Sequence, residues 1–217
     1  MDQIESKMKK CVIIGAGTYG QVYSEYLSDE YEVVGFIDDN QDLIGTNVQN
    51  IPVLGNSDYL FHHLDKSIAV FVPIGNNEIR VNLLRKLSDE GFIIPSFIHD
   101  TTIIHKSVRI GKAVYILPAS NIMPSTVLED FVMISMGVNI AHHVIIKEGC
   151  FFSQGSNVGA SIYIGEKAYF GISSTVMTGV KNVGKSVLLG AGTVVIKDVQ
   201  DHAVVIGNPG KILRINQ

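Results

Sequence analysis

From residue 98 onward the hydrophobic positions fall six apart. Ile98, Ile104, Ile110, Ile116, Ile122, Leu128, Ile134, Ile140, Ile146, Phe152, Val158, Ile164, Phe170 and Val176 are fourteen successive positions of that series, and each is Ile, Leu, Val or Phe. Those four types account for 75 of the 217 residues, so chance placement yields such a run less than about once in a million trials. Four residues after each comes a second row, from Thr102, Val108 and Val114 through Cys150 to Val180, that is nearly all small or β-branched. After a one-residue slip at Asn182 the phase resumes at Val183, Leu189 and Val195. Neither a 3.6-residue helix nor a period-2 strand makes a strict six-residue repeat. A triangular prism does: each side is a short strand plus a corner, three sides make an 18-residue coil, and stacked coils pair as parallel strands. Residues 98–217 are therefore expected to form a left-handed parallel β-helix of hexapeptide repeats with a C-terminal tail, a known exception to right-handed crossovers.

Residues 1–97 have a different rhythm and predict a small α/β, Rossmann-like domain. Cys11-Val12-Ile13-Ile14 reads as a buried strand, followed by the turn Gly15-Ala16-Gly17-Thr18-Tyr19-Gly20 and a helix with Val22, Tyr23, Tyr26 and Leu27 on one face. Val33 to Ile37 is a second strand ending in Asp38-Asp39, about where an acidic residue meets a ribose hydroxyl in a dinucleotide fold. A third apolar run, Ile68 to Val72, leads into Gly75-Asn76-Asn77-Glu78 and a helix carrying Ile79, Leu83, Leu84 and Leu87, ended by Gly91.

The glycine turn has two chemical readings and one packing reading. Backbone N–H groups of Gly17, Thr18 and Tyr19 at a helix N-terminus suit a pyrophosphate, with Asp38 or Asp39 accepting from ribose or base and Gly75 letting the next loop approach the ligand. An NAD-dependent oxidoreductase is the alternative, but one βαβ half suits a mononucleotide better than a dinucleotide. Close helix packing alone also accounts for glycines at such a turn.

Composition narrows the classes further. A net charge of -4 with 18% charged residues argues against a nucleic-acid partner. No apolar stretch reaches membrane-spanning length and the first ten residues lack a signal-peptide core, so a cytoplasmic protein without a membrane partner is expected. Cys11 and Cys150 lack metal spacing and read as reduced core thiols, and no metal site is expected. Lys181, Lys185, Lys197, Lys211 and Arg214 outnumber Asp198 and Asp201 near the C-terminus, a local excess suited to phosphates or to a solvated solenoid tip. Of the histidines, His62 and His63 read as loop residues and His99, His105 and His202 as exposed positions. His142 and His143 stand apart, because Ile140 and Val144 point inward and leave the pair at an outward corner.

Over nearly its whole length the chain resembles the nucleotide-sugar acetyltransferases of the sialic acid O-acetyltransferase type, especially bacterial N-acetyltransferases acting on UDP-4-amino-4,6-dideoxy sugars. The resemblance rests on Gly15 to Gly20, Phe36-Ile37-Asp38-Asp39, Ile74 to Arg80, Phe97-Ile98-His99, Ile140-Ala141-His142-His143, Leu189-Gly190-Ala191-Gly192 and Val205 to Pro209. It implies a homotrimer that uses acetyl-CoA as cosubstrate and acetylates a sugar amine linked to UDP or dTDP, as a step of surface-glycan biosynthesis. His142 is the implied general base. Gly17, Thr18, Tyr19, Asp38, Asp39 and Gly75 are the implied nucleotide contacts, and Phe151, Ala160, Ile172 and Ala191 the implied acyl-CoA contacts. Two positions depart from related enzymes: His143 replaces an acidic residue after the base, and Phe151 replaces a second histidine near the thioester. Asn139 and His143 are the candidates for orienting His142. O-acetylation of a sialic acid or similar sugar, and a non-catalytic nucleotide-sugar-binding trimeric scaffold, are the competing functions.

Overall fold

The computed structural model describes residues 8–216. The chain divides into two units, Met1–Pro95 and Ser96–Gln217. The division falls two residues ahead of the expected boundary, because the Ser96 hydroxyl accepts the Val114 N–H one coil further on and so belongs to the solenoid.

The first unit runs β1 (Lys9–Ile14), α1 (Thr18–Leu27), β2 (Tyr31–Ile37), β3 (Asn47–Val48), β4 (Ile51–Gly55), α2 (Ser57–His63), β5 (Ala69–Phe71) and α3 (Asn77–Asp89). Its sheet has the order β3-β4-β2-β1-β5, with β1, β2, β4 and β5 parallel and β3 an antiparallel edge. Cys11, Val12 and Ile13 have no solvent exposure, and burial pushes the Cys11 thiol up to about 12, which keeps it protonated and inert.

Three local expectations change here. α1 buries Gly20, Tyr23, Ser24 and Leu27, while Val22 is exposed. α3 buries Arg80, Val81, Leu84 and Leu87, leaving Ile79 exposed and Leu83 half-buried. His62 and His63 lie in the last turn of α2, not in a loop; the Asn56 side chain starts that helix by accepting from Tyr59 N–H.

The second unit is a three-sided parallel β-helix. Its first face stacks Phe97–Ile98, Tyr115–Ile116, Met133–Ile134, Phe151–Phe152, Tyr169–Phe170 and Leu188–Leu189. The second face stacks Ile103–Ile104, Asn121–Ile122, Asn139–Ile140, Asn157–Val158, Thr175–Val176 and Val194–Val195, and the third Arg109–Ile110, Val127–Leu128, Ile145–Ile146, Tyr163–Ile164 and Asn182–Val183. Both inward rows are buried from Val114 through Val199, forming one core. Ile104, Val108 and Ile110 of the opening coil are only partly buried.

The corners explain the six-residue period physically. Ala113, Ala119, Ser125, Phe131, Gly137, His143, Gly149, Gly155, Ser161, Lys167, Ser173 and Gly179 all have positive φ. That conformation costs a residue with a β-carbon roughly 1–2 kcal/mol, and a hydrogen bond to the coil below offsets it. Phe131 N–H donates to Lys112 O, His143 N–H to Pro124 O and Ser161 N–H to His142 O. The slip is real: Tyr163 pairs with Asn182, one residue beyond the usual register, and Gly179 at φ 110° lies in the corner that takes up the extra residue. What reads as a tail is structured, since Ala203–Ile206 continues the first face and pairs antiparallel with Lys211–Ile215.

Candidate active site

At the glycine turn the three glycines have separable reasons. Gly15 has φ 94°, which a β-carbon disfavours, and a β-carbon on Gly20 would stand 1.9 Å from the Gly15 carbonyl oxygen. Gly17 has neither constraint: its φ is -67° and nothing lies within 4 Å of where its β-carbon would be. Gly75 likewise has open space around that position. α1 starts at Gly17 with no side-chain cap and no acidic residue in its first turn, whereas α2 and α3 each have an asparagine cap and an acid. The positive end of α1 thus carries no side-chain cap and no acid of its own first turn. Tyr19, one turn before Tyr23, packs on it edge to face at 5.6 Å.

Asp38 holds the glycine turn and Asp39 the start of α2. Asp38 Oδ2 accepts the Ala16 N–H at 2.8 Å and its Oδ1 accepts the Asn40 N–H at 2.9 Å. Asp39 accepts from both the N–H and the hydroxyl of Ser57, at 2.8 and 2.9 Å, which ties β2 to the start of α2. A cavity of 200 Å³ lies here, lined by Gly15, Asp38, Asp39, Ser57, Ile79 and Leu83. This accounts for the two apolar residues of α3 that miss the core: they wall this cavity. The loop after β5 is fixed by Arg80, which is fully buried and donates to the Ile74 carbonyl at 2.8 Å and to Asn77 Oδ1 at 2.9 Å. Asn76 caps α3 by accepting from Ile79 N–H. In the sequence Arg80 stands out only as the end of the Ile74 to Arg80 segment that carries the resemblance, and nothing in the periodicity marks it as interior.

In the solenoid, His142 and His143 occupy the corner between the second and third faces, both exposed. Their Nδ1 atoms are 3.0 Å apart and the rings are perpendicular, at 89°. Asn139 does not reach this pair in the same way: its amide sits in a ladder, receiving from Asn121 and donating to Asn157, each at 3.0 Å. Beside the corner a groove of 370 Å³ runs along the second face, lined by Asn139, Ala141, Asn157, Gly159, Met177 and Thr178. A concavity of 420 Å³ on the third face, between Arg109, Glu129 and Glu148, contains none of the expected site residues.

The four expected acyl-CoA residues do not converge within one chain. Ala160 stacks directly above His142, and its N–H is taken by Thr178 Oγ1 at 3.2 Å. Ile172 and Ala191 lie on the corner between the first and second faces; both are exposed, and the Ile172 carbonyl accepts from Gly192 N–H. Phe151 is on the first face, buried, and stacked on Tyr169 at 5.1 Å with an interplanar angle of 5°. His142 and Ile172 therefore stand on different edges of the prism, separated by the width of the second face.

The architecture defines a class, the β-helix acyltransferases with an appended nucleotide-binding unit, and comparison with known proteins refines it. Residues 10–87 match the family described as the PglD N-terminal domain. PerB from Caulobacter crescentus, solved with CoA and GDP-perosamine, is 30% identical, with 95% of this chain and 98% of that one covered at a TM-score of 0.86. The acetyltransferase domain of PglB from Neisseria gonorrhoeae is 28% identical, with 94% and 100% covered at 0.87, and WeeI from Acinetobacter baumannii is 25% identical, with 95% and 100% covered at 0.84. A serine acetyltransferase of Bacillus pumilus is 46% identical over 43 residues, a match spanning 20% of that protein. The chain belongs to the nucleotide-sugar N-acetyltransferases of the left-handed β-helix fold.

Proposed function

We propose that this protein transfers the acetyl group of acetyl-CoA to the 4-amino group of a nucleotide-linked 4-amino-4,6-dideoxyhexose. The observation that carries the reading is the chain-long match to PerB, which is solved with both CoA and GDP-perosamine and spans both units of this chain. The PglB acetyltransferase domain is in turn solved with acetyl coenzyme A. Gly17 and Gly75, glycines that the fold itself does not require, support the nucleotide end of the reading, and the uncapped start of α1 supplies its anion site.

The neutral sugar amine attacks the thioester carbonyl, forming the N–C bond, while His142 Nε2 takes the amine proton. A backbone N–H holds the tetrahedral oxyanion. Collapse breaks the C–S bond, and the proton on His142 passes to the departing thiolate, giving free CoA and neutral histidine. Cys150 takes no part, because it is fully buried with its Sγ against Gly165 O. Ala160 meets the acyl-CoA through its methyl and carbonyl, its N–H being engaged by Thr178.

A homotrimer completes the site. Ile172 and Ala191 of one prism face His142 and Ala160 of its neighbour, which reconciles residues that one chain keeps on separate edges. Among the described residues no helix is long and apolar enough to cross a membrane. We place the enzyme in the cytoplasm, where acetyl-CoA and nucleotide sugars are found, in the synthesis of a surface glycan.

The test is CoA release from acetyl-CoA with GDP-, UDP- and dTDP-linked 4-amino sugars and their 4-hydroxy counterparts. Release with an amino sugar alone is expected, and His142→Ala lowers kcat by ~10²- to 10⁴-fold. Release with the hydroxyl sugar alone selects O-acetylation, and binding of the nucleotide sugar without any release selects a scaffold.

A further inference from the structure

Resting on the reading of His142 as base, we propose that His143 is its positioning residue: His143 Nδ1 accepts the Nδ1–H of His142 and leaves His142 Nε2 bare to take the proton. The two Nδ1 atoms face each other at 3.0 Å, a distance that requires one proton between them. Only two neutral arrangements satisfy it. If His143 donates, the proton of neutral His142 sits on Nε2 and His142 has no free basic nitrogen. If His142 donates, its Nε2 is free and His143 keeps its own proton on Nε2.

The surroundings say which ring stands nearer the groove. The groove beside the corner is lined by Ala141 and Gly159, each just before a position in the His142 column, and by Thr178 of that column itself. Neither ring lines it, but His142 stands one residue from that lining, and His143, in the column of Ser125, Ser161 and Gly179, one residue further round the corner. Both backbones are anchored, since His143 N–H donates to Pro124 O at 3.1 Å and His142 O accepts from Ser161 N–H at 3.0 Å. The rings therefore project from a fixed corner. A triad aspartate performs the same tautomer selection with a carboxylate. Here a neutral imidazole performs it, and a proton on His143 would turn its acceptor into a donor and end the arrangement. Within this unit the positions next to the pair are Pro124 and Ser125 one coil below, Ala160 and Ser161 one coil above, and Asn139 and Ile145 on the adjoining strands; none of them ionises.

Histidine-selective ¹⁵N labelling with long-range proton–nitrogen correlation reads the tautomer in the intact protein at alkaline pH. His142 is expected as Nδ1–H in the wild type, as Nε2–H in His143→Ala, and as Nδ1–H again in His143→Asp. Alanine is a sound probe of the corner, because Ala113 and Ala119 adopt the same positive φ in equivalent places. An Nε2–H tautomer of His142 in the wild type overturns the proposal whether or not any sugar is acetylated, so its failure is distinct from failure of the assigned activity. In the CoA-release assay His143→Ala is expected to lower kcat by about 10- to 100-fold, the size of effect seen when a metal-bound histidine loses its orienting partner, with both KM values kept. His143→Asp restores turnover and moves the acid limb of kcat/KM to higher pH, since a carboxylate stabilises imidazolium more than a neutral ring does. Wild-type kcat and an unmoved pH profile in His143→Ala also overturn it.

Discussion

A β-carbon on Gly20 would stand 1.9 Å from the carbonyl oxygen of Gly15, so the first turn of α1 can lie against β1 only with glycine at that position. Gly17, three residues earlier, has no such neighbour. Gly20→Ala is therefore expected to destabilise the fold by about 1–3 kcal/mol, the cost of overpacking, seen as a lowered Tm. Gly17→Ala should leave Tm nearly unchanged and weaken sugar-nucleotide binding by calorimetry. Equal losses of stability in both variants would mean that the second glycine also serves packing alone.

The solenoid was legible because its constraint is strictly periodic. Every inward position from Val114 to Val199 shares the same prism geometry, and the slip at Asn182 appears as a single break in phase. The first unit was less so. β3, β4 and α2 arise in residues 47–63, where strands of two and five residues alternate with turns and no period has room to develop. A helix face departs from its spacing where a cavity competes with the core: Ile79 and Leu83 fit a core stripe by spacing but wall the cavity beside Asp38, and Arg80 takes the interior. At the candidate site the sequence brought out the two histidines, yet the facing Nδ1 atoms depend on a corner geometry that no linear pattern contains.

Arg80 offers a test of that inversion. Its guanidinium reaches two acceptors, the Ile74 carbonyl and Asn77 Oδ1, on both sides of Gly75. Lysine presents a single ammonium and cannot reproduce the fork. Arg80→Lys should cost about 1–3 kcal/mol for buried acceptors left unsatisfied and raise KM for the sugar nucleotide, with KM for acetyl-CoA unchanged. A raised KM for acetyl-CoA alone would contradict the role given to the Gly75 loop.

Asp38 has a structural role beside the nucleotide contact proposed for it. Its Oδ2 holds Ala16 N–H inside the glycine turn while its Oδ1 holds Asn40 N–H. Asp38→Ala should raise KM for the sugar nucleotide far more than KM for acetyl-CoA, because the cavity it lines is in the first unit. Similar increases in both would remove Asp38 from the nucleotide site.

The assembly makes a prediction of its own. If Ile172 and Ala191 of one prism complete the site at His142 of another, light scattering should give three times the 23.6 kDa chain mass. Mixing inactive His142→Ala chains with chains carrying Ile172→Asp should then recover activity, since mixed trimers contain some sites with neither lesion. A fully active monomer would refute the shared site.

The slipped corner responds to acid through one carboxylate. Asp198 Oδ1 accepts the backbone N–H of Lys181 at 2.7 Å and of Asn182 at 3.2 Å. These two donors, Lys181 first, hold the Asp198 carboxyl below its ordinary 3.8. A depressed folded-state value means that the contribution is complete above the ordinary carboxylate range and is lost as pH falls through the lower folded value. Protection of the Lys181 and Asn182 amides, measured relative to their intrinsic exchange rates, should therefore persist from neutral pH down to the carboxylate range and be lost only below it. Asp198→Ala should give fast exchange there at neutral pH as well. The same corner carries Met177 and Thr178, which line the groove beside His142, and Thr178 Oγ1 holds Ala160 N–H. The variant should thus raise KM for acetyl-CoA while leaving KM for the sugar nucleotide alone. Fast exchange without any change in the acetyl-CoA KM would show that the groove on the second face is not where the acyl donor lies.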